Sequence, residues 1–319
     1  MPNVVVLSLK SRWVGDVINR AWRAVSGLEW PTIALTVLIY GAWTAVTFFH
    51  ALIPLPVLVI VGAWLIAWHG SLQHEIIHGH PTPWSRLNTA IALPPLALWL
   101  PFEIYRRCHI THHVLEHLTD PARDPESRYL ATGPGTRAPR SVDRLQQSLL
   151  GRLVLGPLVD AGELLAREVV HLVRGDLDRL RIWAMHAIMA ALIVAWLRVV
   201  CHFSLGQYLI CFVYPGVALT LLRSFAEHRA HPDPARRTAI VERAPVLGLL
   251  FLHNNLHVAH HFQPDLPWYA LPALYRRERE RLLAANGGLV YAGYADVFRR
   301  YLLRPHDELM HAAALAARR

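Results

Sequence analysis

Three short histidine clusters carry the most chemistry in this chain: His74-Glu75-Ile76-Ile77-His78-Gly79-His80, His109-Ile110-Thr111-His112-His113 and His257-Val258-Ala259-His260-His261. Residues three or four apart share one helix face, so His74 pairs with His78 and each HxxHH presents three imidazoles together. Each cluster follows an apolar segment at what reads as the same side of a membrane, so the clusters can meet. Eight imidazoles converging there would be electrostatically and sterically awkward unless something binds them, and metal is the economical answer. Neutral imidazole suits Fe, Zn, Cu and Ni, and eight ligands exceed the four that one zinc site accepts. Two metal ions is then the natural count.

The elements that must position these histidines are legible in the hydropathy. Of 319 residues 54% are hydrophobic and 17% charged, too apolar for an ordinary soluble enzyme. From Trp30 to Gln73 there is no Asp, Glu, Lys or Arg. At 1.5 Å per residue that run crosses a hydrocarbon core of about 30 Å twice, with Pro54 and Pro56 marking the turn. A second apolar pair runs from Ile182 to Leu222 and turns at Cys201-His202-Phe203-Ser204-Leu205-Gly206, and its only internal charge, Arg198, can snorkel. The expected fold is therefore an all-α integral membrane protein, with spans at 31–53, 55–74, 182–201 and 204–224 arranged as two hairpins. Segments 75–180 and 225–319 form one helical cap, and the whole of 1–319 is a single domain.

Lys10, Arg12, Arg20 and Arg23 precede the first span and the turn near Pro54 lacks Lys and Arg, which puts both termini in the cytoplasm. Residues 1–29 read as an amphipathic lead without a removable signal peptide. Pro94 and Pro95 break the apolar stretch Leu87–Leu100, which reads as interfacial or re-entrant. Residues 118–140 form a loop, and Val142–Val173 one or two amphipathic helices. Cys108, Cys201 and Cys211 form no CxxC pair and suggest no disulfide framework, and Cys108 reads as an inert thiol. The net charge of +9 suits loops lying on anionic lipid or a basic dock for an acidic partner, and its diffuse placement argues against nucleic acid.

The three clusters, HX3H, HX2HH and HX2HH on four spans, resemble the membrane fatty acid desaturase and hydroxylase superfamily over about residues 30–270. That resemblance implies an iron site with His74, His78, His109, His112, His113, His257, His260 and His261 as ligands. The superfamily commonly adds a histidine where the fourth span leaves the membrane, and in Ser224-Phe225-Ala226-Glu227-His228 this implies His228 as the ninth. Desaturases of known architecture can have an Asn one turn earlier that reaches iron through water; Ser224 stands there instead. The resemblance implies two Fe ions, O2 as co-substrate, and a fatty acyl or lipid-like substrate attacked at an unactivated C–H bond. Desaturation is the favoured outcome, with hydroxylation or oxidative decarboxylation to a terminal alkene as alternatives. No GxGxxG fingerprint, haem motif or Cys cluster is present, so electrons must come from a ferredoxin, rubredoxin or cytochrome-type partner. The implied location is a bacterial-type inner membrane, with the active site on the cytoplasmic side.

Carboxylates commonly orient metal-bound imidazoles through the other ring nitrogen. Asp120, Asp124, Glu75, Glu116 and Glu227 are the candidates for that role, against the alternative of solvated loop charges or helix caps. His80, His117, His231 and His253 lie outside the spacing and are kept out of the ligand set. Asn254-Asn255 before the third cluster supplies either amide hydrogen bonds near the metals or a helix cap. Two rival readings remain. His74-Glu75-Ile76-Ile77-His78 also matches HExxH, the zinc metalloprotease pattern, which leaves the other clusters unexplained. A metal transporter would place its site near the bilayer midplane, whereas these clusters flank the spans.

Overall fold

A computed structural model describes residues 27–131 and 137–311; the amphipathic lead expected at 1–29 therefore lies almost wholly outside the described residues, as do its four basic side chains. Among the described residues the protein is mostly helical, and four helices have the length and composition to cross a membrane: α1 (Trp30–Phe48), α2 (Leu55–Ile77), α7 (Leu177–Val200) and α8 (Leu205–Glu227). Between the second and third lie α3 (Ser85–Ala92), α4 (Phe102–His112), α5 (Ser141–Leu145) and α6 (Leu149–Val173). After the fourth come α9 (Pro245–Leu250), α10 (His257–Phe262), α11 (Leu271–Ala285) and α12 (Tyr294–Tyr301). Strands β1 (Ile240–Val241) and β2 (Val290–Tyr291) form a small parallel pair.

Each hairpin turn has a local cause. Helix α1 stops at Phe48, a single 3-10 turn follows, and Pro54 precedes the next helix, where its missing N–H costs nothing. Ser204 caps α8 by accepting from the backbone N–H of Gln207. Helix α7 begins at Leu177, earlier than its apolar run, because the Asp176 carboxylate accepts from the N–H groups of Asp178 and Arg179. Its charged first turn is then held by Arg179 against Glu168 and by Asp178 against Arg107.

Helices α2 and α8 form the central contact. A Cβ on Gly62 would lie 2.6 Å from the Phe212 ring and 2.9 Å from the Cys211 carbonyl, so the absent side chain sets how closely the helices approach. Trp43 Nε1 donates to the Tyr208 hydroxyl at 2.9 Å, which donates to the Leu96 carbonyl at 2.7 Å, joining α1, α8 and the segment after α3 around buried polar atoms. Val37, Ile60, Leu192 and Val199 are 60–72% exposed on the outer surface of the bundle, the apolar exterior a bilayer requires. The other helices join the bundle through a second core in which Leu149, Leu222, Phe225, Phe251 and Tyr291 pack together.

Candidate metal centre

Helix ends deliver the histidines. His74 lies in the last turn of α2 and His78 caps it, after which Gly79 (φ +102°) reverses the chain in a conformation that favours glycine. His109 and His112 lie in the last turn of α4, with His113 at its cap. The short α10 carries His257, His260 and His261. His228 ends α8 in an extended conformation and bridges to Thr238. The chain after it runs through Ala239, whose carbonyl accepts from Val258, and Val241, whose N–H donates to Asn255, so His228 and the third cluster are fastened to one segment.

All nine histidines meet in two groups, each with ligand atoms within 4.8 Å of one another. One contains His74, His78, His109, His113 and His260; the other contains His112, His228, His257 and His261. In the first, Nε2 of His109 is 3.1 Å from that of His78 and 3.0 Å from that of His113, and Nε2 of His260 is 3.2 Å from that of His113. In the second, Nε2 of His228 is 2.9 Å from that of His112 and 2.8 Å from that of His257, which is 3.1 Å from that of His261.

The outer ring nitrogens decide what these contacts mean. Nδ1 of His112 faces both oxygens of Asp124 at 3.0 Å, and Nδ1 of His257 faces Asn254 Oδ1 at 3.0 Å and Glu227 at 3.4 Å. Nδ1 of His228 is 3.3 Å from the Arg237 carbonyl. Each of these partners accepts, so each Nδ1 carries the proton and each Nε2 is left with a lone pair. Lone pairs facing one another at 2.8–2.9 Å repel, and a shared cation turns that repulsion into binding. His109 follows the same rule, with Nδ1 3.0 Å from Glu126. The donor set therefore fits metal.

Electrostatics point the same way. Burial first, and neighbouring imidazoles second, hold His78, His113, His257, His260 and His261 below the ordinary histidine range, which keeps them in the neutral, ligating form. For His112 burial also lowers the pKa, but the carboxylates of Glu126 and Asp124 outweigh it and raise the net value. The same two carboxylates would equally favour the charge of a bound cation.

The five candidate carboxylates separate clearly. Asp124 bonds His112, and Glu227 reaches His257 while pairing with Arg223 at 3.2 Å. Asp120 accepts from the Ala122 N–H in its own turn, Glu116 is exposed, and Glu75 accepts from the Trp268 N–H at 3.2 Å. Glu126, outside those five, faces Nδ1 of His109. It sits two residues after Asp124 in a Pro-rich loop that reads as solvated, and its pairing with His109 is a tertiary fact. Burial would raise its pKa, but His112 and His109 hold it below the ordinary range.

Asn254 is an amide neighbour of the histidines: Oδ1 accepts from His257 while Nδ2 approaches His74 Nε2 at 3.4 Å, so one side chain touches both groups. Asn255 turns away to donate to the Val241 carbonyl at 2.6 Å. The Ser224 hydroxyl donates back to the Leu221 carbonyl at 3.3 Å. His80 pairs with Glu29, His253 stacks on Trp268, and His231 accepts from the Asp233 N–H; these three and His117 stand outside the two groups.

A cavity of about 410 Å³ runs beside the second group, with His112 and His228 in its wall. Its wall combines apolar side chains, among them Ile66, Pro95, Ala97, Val217 and Leu221, with charged and polar ones from α6 and the 119–130 loop. Cys108 also faces it, and burial pushes its thiol pKa up, which makes a nucleophilic thiolate unfavourable.

Four membrane-length helices, with two polyhistidine groups beside them that could each hold a metal ion, define the class: a membrane protein with a candidate metal centre. The fatty acid desaturase family profile matches residues 50–294, most of the chain and all three clusters. The chain belongs to the fatty acid desaturase family, and membership makes it a membrane oxidoreductase of desaturase type whose relatives act on lipid or acyl substrates and typically depend on iron. No curated protein matches the chain by sequence.

Proposed function

We propose that the protein is an O2-dependent, two-iron oxidoreductase that desaturates a fatty acyl or lipid-like chain. The observation that carries this reading is the division of nine imidazoles into a group of five and a group of four, the latter opening on an amphiphilic cavity. His74, His78, His109, His113 and His260 would hold one iron, and His112, His228, His257 and His261 the other. Iron held there would supply the redox chemistry that reduces O2 and removes hydrogen from an unactivated carbon.

The chain's own contribution is orientation and exclusion. Asp124, Glu126, Glu227 and Asn254 hold ring protons on the outer nitrogens and so turn the inner ones toward the metals. The apolar side chains of the cavity exclude water and fix a hydrocarbon chain beside His112 and His228. Hydroxylation and oxidative decarboxylation share this arrangement, and the position of the substrate carbon selects among them. The cap, formed by 75–180 and 225–319, lies on the cytoplasmic side of a bacterial-type inner membrane, and a ferredoxin, rubredoxin or cytochrome-type donor supplies electrons. The zinc-protease reading loses support because Glu75, its required general base, is buried and bonded to the Trp268 backbone.

The test is mass spectrometry of lipids and free fatty acids from cells expressing the chain under labelled O2. A product two hydrogens lighter and free of label identifies a desaturase; retained label identifies a hydroxylase. Turnover under anaerobic conditions would overturn the oxygen dependence.

A further inference from the structure

Helix α6 is built inside out for a helix surrounded by water. Leu150, Val154, Leu158, Leu165, Val169 and Val173, spaced 4, 4, 7, 4 and 4, fall on one stripe and are 44–82% exposed. Arg152, Asp160, Glu163 and Arg167 fall on the other side of the helix and line the cavity, where Arg152 holds Asp160 at 2.8 Å. On the surface of a water-soluble cap a helix turns its apolar stripe inward and its charges outward. In α6 the charges face the cavity and the stripe faces out.

The first half of α6 is fastened to the fourth span. Leu149 packs with Leu222 and Phe225, a Cβ on Gly156 would lie 2.5 Å from Leu221, and the Tyr214 hydroxyl donates to the Val154 carbonyl. Tyr214 lies 13 residues (227 − 214) before the end of α8 at Glu227, about 20 Å along the helix and farther than a tyrosine side chain can climb. Val154 therefore sits below the end of the span, at bilayer depth. The second half is fastened to the third span, where Glu168 accepts from Trp183 Nε1 at 3.2 Å and pairs with Arg179 at 3.4 Å. The stripe continues onto α7 in the exposed side chains of Leu180, Met185, Ile188 and Leu192. Arg174 and Arg181 are exposed around the turn between α6 and α7, a placement that suits anionic headgroups.

We propose that α6 is seated in the leaflet at the histidine end of the bundle, with lipid acyl chains covering its stripe while its other face walls the cavity. Continuity with the apolar exterior of the third span, together with the depth of Val154, selects lipid as the occupant. A helix is about 10 Å across, so a single helix diameter separates the cavity from the leaflet. The inference concerns the membrane contact alone and does not rest on the reaction proposed above.

The test is photo-crosslinking of the full chain in phosphatidylcholine nanodiscs, with p-benzoylphenylalanine replacing Leu158 or Val169 and adducts identified by intact mass. Both side chains point outward, so the bulky residue displaces no packed neighbour. The same replacement at Leu192, on the exterior of the third span, and at Arg276, exposed on α11, supplies the lipid-facing and water-facing limits. Leu158 and Val169 should each gain the mass of one phospholipid as readily as Leu192 and at least ~10-fold more than Arg276. A lipid yield at both positions no higher than at Arg276 would put the stripe in water and overturn the proposal. Adducts dominated by a second copy of the chain would overturn it in favour of a dimer interface. Crosslinks confined to the same chain, without lipid, would overturn it in favour of cover by the protein's own residues.

Discussion

Both carboxylate oxygens of Asp124 lie 3.0 Å from Nδ1 of His112, and the same carboxylate accepts the N–H groups of Thr119 and Glu126. One buried acid thus folds its own loop and turns a histidine. Asp124→Asn keeps the shape but removes the charge that holds the ring proton. Metal affinity of the four-histidine group should fall by roughly 10- to 100-fold, the usual cost of losing such a partner. Elemental analysis of the purified variant should show metal content dropping toward one ion per chain; undiminished content would exclude this role for Asp124.

His260 and His261 are adjacent in sequence but face different groups. His260→Ala should deplete the five-histidine group first and His261→Ala the four-histidine group, with both variants inserted in the membrane and inactive. Site-resolved spectroscopy of the bound metal in each variant is the check. Identical residual signals from the two variants would mean that the groups do not bind separately.

Gly62 permits the close approach of α2 and α8. Adding one methyl there forces the Phe212 ring or the Cys211 carbonyl to move, an overpacking cost of about 1–3 kcal/mol. Gly62→Ala should therefore melt several degrees lower in detergent, and an unchanged transition would show that the bundle absorbs the extra volume.

Gly70 also lies on α2 but faces the cavity, and a Cβ there would meet nothing closer than Thr220 Oγ1 at 3.9 Å. Gly70→Leu should fill part of the cavity without disturbing the helix, since leucine is the better helix former. Shorter acyl chains should then be preferred while metal content stays normal. Product analysis across a chain-length series tests this, and an unaltered length profile would place the hydrocarbon elsewhere.

Much of this architecture is legible in the sequence because it is written in residue identity and local period. Histidine spacing, charge-free runs and paired prolines do not need tertiary context. What escaped was set by packing. Glu126 and Asn254 look like ordinary loop residues until the fold sets them against His109, His257 and His74. The strands β1 and β2 are each two residues long, too short to show an alternation, yet they fasten the segment between His228 and His257. Helix α7 extends ahead of its apolar run, since the capping carboxylate of Asp176 carries the helix into its charged lead.

The distribution of the three clusters has one more consequence. The first contributes only to the five-histidine group, the second divides its side chains two to one between the groups, and the third divides them one to two. Neither group is a module that a duplication could copy or a deletion could remove. A chain that places α4 and α10 correctly for one group has already placed them for the other, so the two sites are inherited, assembled and lost as a single unit.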